Sequence, residues 1–255
     1  MKKHTYVLAV VLLLLSSVAL AQQPMAEPPV FTYVAEWSVA RAQWDEFGKN
    51  FEQNNRPILE RLVANGTLVG WGSFATYVHK EDATTHGTWW SATSVANIEK
   101  ARAELIKVPA TPAMMQARHH DYLLRSLIHK GRTSKAGPGF LVVSENLTMP
   151  GKGQDWRQNW EKNVKPVFDE LLAGGAITQY SVDVEQVHTQ DPGSRFVWYT
   201  GGGADVVDKV GAALQAANEK RSEAERQAIQ QANQGVTNGA MHRDYYATIT
   251  NYAHK

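Results

Sequence analysis

One stretch of this sequence occurs twice, and the second copy stands at a constant distance from the first. Phe31-Thr-Tyr-Val-Ala-Glu36 returns as Phe140-Leu-Val-Val-Ser-Glu145, Arg56-Pro57 as Lys165-Pro166, and Gly66 as Gly175. Val78-His79-x-x-Asp82 returns as Val187-His188-x-x-Asp191, and Trp89 as Trp198. Each pair is 109 residues apart (145 − 36 = 109). A register held over so many positions is an internal duplication, so the fold must be one that two similar half-chains build together. A later pair, His119-x-Asp121-Tyr122 and His242-x-Asp244-Tyr245, is offset by 123 residues, so the second copy gained 14 (123 − 109).

Both copies have the same element order. Phe31 to Trp37 has the β-branched and aromatic content of a strand. Phe47, Phe51, Ile58, Leu59, Leu62 and Val63 follow a helical period, with Gly66 just past the helix end. Leu68 to Val78 and Gly87 to Ala92 read as strands joined by a turn at Glu81-Asp82. Ser94 is an N-cap for a helix through Ile98, Ala101 and Leu105, ended by Pro109 and Pro112, and Tyr122 to Ile128 is a further strand. The order βαββαβ is the ferredoxin-like unit. In the second copy Trp156, Trp160, Val164, Val167, Phe168, Leu171 and Leu172 mark the first helix, and Asp191-Pro-Gly-Ser the hairpin turn. A single longer helix is predicted from about Asp205 to Asn233. Pro57 and Pro166 read as bends where a new helix begins.

The chain divides into 1–21, a signal peptide; 22–29, a loose tether; 30–130, the first unit; 131–138, a linker; and 139–255, the second unit. Lys2-Lys3, the apolar run Val7 to Leu15 and Ala19-Leu20-Ala21 have the form of a cleavable leader, with the cut after Ala21. The run is short of the roughly 20 residues a spanning helix needs. A periplasmic or secreted protein without stable membrane insertion is expected. There is no cysteine, so stability must come from burial. The net charge of +1 becomes −1 on losing Lys2 and Lys3, which leaves no basic surplus to attract nucleic acid. Eight Trp and nine Tyr supply bulky apolar surface that a cavity can use.

A single ferredoxin-like unit covers one sheet face with helices and leaves the other bare. Two units in one chain can press their bare faces together. The chain therefore resembles the dimeric α/β-barrel superfamily, which includes the antibiotic-biosynthesis monooxygenase, NIPSNAP, EthD and chlorite dismutase families. The resemblance rests on element order and duplication over nearly the whole mature chain, and no specific family motif is matched. It implies an α+β fold in which two tandem ferredoxin-like units form one pseudo-symmetric barrel, as a monomer or a homodimer.

The ferredoxin-like strand order 4-1-3-2 gathers Glu36, His79, His86, Trp89, His119 and Asp121 at one end of the first unit. The same end of the second holds Glu145, His188, Arg195, Trp198, His242 and Asp244. Three chemistries fit these residues. His with carboxylates can ligate a metal, although no close ligand pair is present. His119 or His242 can move a proton while Asp121, Asp244, Glu36 or Glu145 orients it. Haem binding is implied only by the chlorite dismutase resemblance. Against these, Asp82 and Asp191 suit turns, Trp89 and Trp198 suit a core, and His120, His129 and His254, unmatched between copies, read as surface residues. The catalytic candidates are thus His119, Asp121, His242, Asp244, Glu36 and Glu145. The ligand-binding candidates are Trp89, Trp198, His79, His188, His86 and Arg195. No cofactor is expected. The expected function is binding of a small apolar or aromatic molecule in or near the barrel. The alternatives are a cofactor-independent monooxygenase or isomerase, and a structural or interaction module using the charged stretch Glu219 to Arg226.

Overall fold

The computed structural model describes residues 29–79, 83–189 and 191–255. The predicted leader, most of the tether and the Glu81-Asp82 turn lie outside the described residues. Eight strands close a barrel: β1 (Phe31–Ser38), β2 (Gly70–Thr76), β3 (His86–Ala92), β4 (Arg118–Gly131), β5 (Ser134–Leu147), β6 (Gln179–Val187), β7 (Ser194–Gly201) and β8 (Arg243–His254). Around the ring they run β1-β3-β2-β8-β5-β7-β6-β4. Each half keeps the order 4-1-3-2, and every neighbouring pair is antiparallel. The halves meet at two seams, β2 with β8 and β6 with β4.

The strands are apolar on both faces because helices cover the outside. On β1, Thr32, Val34 and Glu36 face inward, while Tyr33, Ala35 and Trp37 pack under the first unit's helices. Those helices are α1 (Trp44–Asn50), α2 (Arg56–Ala64), α3 (Val95–Leu105) and the short α4 (Pro112–Gln116). A π-turn, Phe51–Asn55, joins α1 to α2 in one continuous helical run, and it lies just before Pro57, whose ring and missing N–H interrupt the regular helical bonding. Ser94 caps α3, its Oγ accepting from Asn97 N at 3.2 Å. The outer core here centres on Trp71, Leu59, Leu68 and Ile98, all nearly or fully buried. Each contributes about 1.5–3 kcal/mol of burial, Trp71 at least as much.

The second unit has α5 (Gly153–Asn163), α6 (Lys165–Ala173), α7 (Val206–Glu219) and α8 (Glu223–Asn233). Trp156, Trp160, Phe168, Ile177 and Tyr180 form its outer core. The single long helix expected from Asp205 is two helices. Ser222 starts the second with a capping box: its Oγ accepts from Glu225 N at 3.3 Å while Glu225 Oε2 accepts from Ser222 N at 2.8 Å. The expected linker 131–138 is mostly strand, since β4 runs to Gly131 and β5 begins at Ser134. Gly131 lies at the β4–β6 seam, and Gly137 pairs with Tyr252 inside the second unit.

Candidate functional site

A third cluster fills the barrel itself: Phe74, Trp89, Leu141, Trp198, Ala247, Ile249 and Tyr252. The two tryptophans face each other across the pseudo-two-fold axis, ring centroids 6.3 Å apart. The halves accommodate them differently. A Cβ at Gly72 would stand 2.1 Å from the Trp89 ring, so β2 gives Trp89 room through a glycine. Ser181 and Asp183 stand on the equivalent face of β6, and Trp198 Nε1 donates to Asp183 Oδ2 at 2.6 Å. Burial pushes the Asp183 carboxyl up, against hydrogen bonds from Ser181 and Trp198 that hold it down.

Between this core and one end of the barrel lies a cavity of about 70 Å³. Trp89, Trp198, Phe74, Phe196, Leu124 and Leu141 form its apolar walls. Glu36 and Glu145 face it from symmetric positions on β1 and β5, with Tyr122 and Tyr245 beside them. Thr84 Oγ1 donates to Glu36 Oε2 at 3.0 Å and Tyr122 Oη reaches it at 3.5 Å. Ser194 Oγ donates to Glu145 Oε1 at 3.4 Å. Burial raises both carboxyl groups above the ordinary glutamate value; the charge of Glu145 adds to this at Glu36, and Arg243 opposes it at Glu145. Tyr245 is pushed up to about 12, chiefly by burial and then by the two glutamates.

Of the predicted residues, Glu36, Glu145, Trp89 and Trp198 meet in this cavity. The others share its end of the barrel but stand outside the wall. His119 stacks on Trp37 at 4.9 Å between centroids, is exposed, and lies 3.0 Å from Asp121. His242 and Asp244 make the matching exposed pair at 3.0 Å. His86 is buried under α1 against Trp44 and Phe47, where burial lowers its pKa to about 4. His79 and His188 are exposed in the hairpins. Arg195, the counterpart of His86, packs outside against Gly153.

Strand parity explains this separation. In the β1–β4 ladder Glu36 pairs with His120 and Val34 with Tyr122, whereas Trp37 pairs with His119 and Ala35 with Asp121. Paired residues share a face. His120 and Tyr122 therefore accompany Glu36 at the mouth, their rings 4.3 Å apart, and His119 and Asp121 point away. His120 is thus no unattached surface residue, and alternation along β4 was the signal for it. Nor are His129 and His254 surface residues. Both lie at the opposite end of the barrel, where burial lowers His129 to about 3 and His254 in the same direction.

Among the described residues no cluster of three or more His, Cys, Asp or Glu is placed to hold a metal ion. The cavity is too small for a porphyrin and no histidine lines it, so its residues do not fit a haem.

No family model and no curated protein matches the sequence. Solved structures do. A Fusobacterium nucleatum protein provisionally assigned as a monooxygenase has a TM-score of 0.61 at 10% identity, over 91% of this chain and 96% of its own. A Lactobacillus acidophilus protein with the same provisional assignment has 0.60 at 9% identity, over 89% and 97%. A mutant chlorite dismutase from Candidatus Nitrospira defluvii has 0.50 at 9% identity, over 87% and 91%. Closed strand order and these likenesses together give the chain the dimeric α/β-barrel fold, with both ferredoxin-like units of the barrel on one polypeptide.

Proposed function

We propose that the protein binds a small, largely apolar molecule whose apolar part enters the barrel and whose polar part meets Glu36 and Glu145. The observation that carries this is a cavity walled by aromatic and aliphatic side chains with two carboxyl groups at one end. Its 70 Å³ is about half the roughly 150 Å³ of an engineered cavity that binds benzene. A short branched aliphatic group fits as the walls stand, and an aromatic ring fits if Trp89 or Trp198 turns. The barrel closes within one chain, so a second copy is not needed to complete the site. The test is a series of apolar ligands of increasing size, read by thermal shift and tryptophan fluorescence. Stabilisation is expected to peak at one size and to vanish in Leu141→Trp. A series that moves neither signal overturns the proposal.

Glu36 favours a second reading, catalysis by proton abstraction without a cofactor, as a monooxygenase or isomerase of this kind requires. A carboxylate raised by burial beside an apolar cavity is a competent general base. Hydrogen–deuterium exchange into a bound ligand would report it. The reading expects exchange to be lost in Glu36→Gln while binding persists; exchange equal to wild type overturns it. We also propose export, on the strength of Lys2-Lys3, the apolar run and Ala19-Leu20-Ala21. Mass spectrometry of the protein from a bacterial periplasm should then find Gln22 at the N-terminus; an intact Met1 overturns it.

A further inference from the structure

The barrel end away from Glu36 and Glu145 carries a second group of buried polar side chains, and two bulges put it there. In the β4–β6 ladder Ser126 pairs with Asp183 and Ile128 with Val182, so Leu127 is an extra residue. In the β2–β8 ladder Ser73 pairs with Asn251 and Phe74 with Ile249, so Thr250 is extra. Leu127 and Thr250 are the same position in the two copies, 123 residues apart (250 − 127 = 123). One extra residue reverses the face that the rest of a strand presents, and bulges recur at barrel rims and beside functional sites for that reason. Past Leu127 the inward position falls on His129. Past Thr250 it falls on Tyr252 and His254. The His129 ring then lies 5.9 Å from Trp198 and 5.5 Å from His254, centroid to centroid.

The protons of this group can be assigned. Ser181 Oγ makes its shortest contact as donor to Asp183 Oδ1, at 2.6 Å, so it accepts from His129 Nδ1–H at 3.3 Å. His129 Nε2 is therefore an acceptor, with Gln179 Nε2 placed to donate to it. His254 Nε2 stands 3.4 Å from it, and the Gln179 side-chain amide 3.2 Å from it. Gln179 is buried, and its amide oxygen and nitrogen exchange places by a simple flip. His254 is held by a hydrogen bond to the Arg132 backbone, and its two tautomers differ in what they leave on Nε2. With the proton on Nε2 it donates to His129. With the proton on Nδ1, two lone pairs face each other at 3.4 Å. Ser134 Oγ, opposite His254 in the β5–β8 ladder, is a further buried oxygen without a partner among the described residues.

A cation shared by the two Nε2 atoms resolves this arrangement. Zinc–imidazole bonds of about 2.0–2.1 Å in a tetrahedral site put ligand nitrogens about 3.3–3.4 Å apart. The outer nitrogen of a metal-bound imidazole is ordinarily held by an oxygen, as Ser181 and behind it Asp183 hold His129. We propose that His129 and His254 bind a borderline divalent cation such as zinc through their Nε2 atoms, with the Gln179 side-chain oxygen as a third donor.

The test titrates the metal-free mature chain with Zn²⁺ by calorimetry and with Co²⁺ by visible absorption. One equivalent is expected, with the strong Co²⁺ bands of a tetrahedral site. His129→Gln and His254→Ala should each weaken binding at least ~10-fold, the lower end of what losing a ligand's support costs. The double variant His119→Ala/His242→Ala removes both exposed imidazoles of the other end and should bind as wild type does. Because His254 is buried and His129 partly so, the Cu²⁺-loaded wild type is also read by electron paramagnetic resonance for coordinated imidazole nitrogens, a measurement that needs no variant. Absence of stoichiometric binding overturns the proposal. So does binding that survives both His129 and His254 substitutions, or a Cu²⁺ spectrum without imidazole coupling.

Discussion

Trp198 donates its indole N–H to Asp183 at 2.6 Å inside the barrel, where Asp183 has no solvent exposure. Its twin, Trp89, has glycine at the equivalent strand face and relies on space. The two halves thus hold the same ring by different means, and substitutions should tell them apart. Asp183→Ala leaves the Trp198 N–H without its buried acceptor, at about 1–3 kcal/mol, while the Ser181 hydroxyl keeps the Ile128 carbonyl at 2.8 Å. Asp183→Asn keeps an acceptor for Trp198 and should cost less. Urea unfolding of the two variants gives the comparison, and equal losses would contradict the role assigned to the hydrogen bond.

On the Trp89 side the vulnerable residue is Gly72. A methyl group there would enter the indole, so Gly72→Ala must swing Trp89 into the cavity or push the strand aside. A loss of about 1–3 kcal/mol is expected, as for other overpacked cores. Ligand-induced fluorescence change should fall with it, because the ring occupies the binding volume.

Glu36 and Glu145 both titrate above the ordinary 4.5 in the folded chain. The folded protein then keeps protons that the unfolded chain releases. Their contribution is most favourable below about pH 4.5 and is lost as pH rises through the folded values. Glu36→Gln should therefore raise stability at pH 7 by roughly 0.5–2 kcal/mol and change it little near pH 4. Urea midpoints at the two pH values decide this; a variant less stable than wild type at pH 7 would show that the ionised carboxylate is already well paired.

His86 behaves in the opposite sense. Burial against Trp44 and Phe47 lowers it from 6.5 to about 4, so the unfolded chain takes up the proton first. Its contribution is intact above pH 6.5 and fades as pH falls toward 4. In His86→Phe that fade should disappear, a relative gain of roughly 1 kcal/mol by about pH 5.5. Thermal melts of variant and wild type across this range measure it, and parallel pH profiles would refute it.

The exposed pairs His119–Asp121 and His242–Asp244 should matter little. Surface ion pairs contribute about 0–1 kcal/mol. Replacing either histidine by alanine should leave ligand binding at the cavity unchanged, as a fluorescence titration would show.

The duplication made the architecture legible before any coordinates. Element order, the 4-1-3-2 strand order in each half and the convergence of Glu36 with Trp89 follow from a repeat that must bury two bare sheet faces. What stayed hidden turns on single-residue steps. His119 and His120 are neighbours, and only the pairing of Glu36 with His120 shows which one faces the interior. His-x-Asp looked like a catalytic pair because both residues share a face, but that face carries the helices. The bulges at Leu127 and Thr250 leave no trace in residue type, so the strand ends carrying His129 and His254 are read with the wrong parity. Ser222 could have been recognised: a serine three residues before Glu225 is a capping box, and it divides a helix that apolar periodicity alone would run together.

The matched bulges have a consequence for symmetry. In a barrel made of two identical chains, every inward group appears twice, and a position that holds histidine in one half holds it in the other. Here the residue across from His129 by repeat is Tyr252, and the residue across from His254 is Gly131. The two imidazoles therefore come from non-equivalent rungs, and the glycine clears the space that the opposing ring occupies, since a Cβ at Gly131 would lie 2.6 Å from it. Joining the halves into one polypeptide freed each rung to differ from its twin, and a lopsided pocket of this kind is open only to a chain that no longer has to match itself.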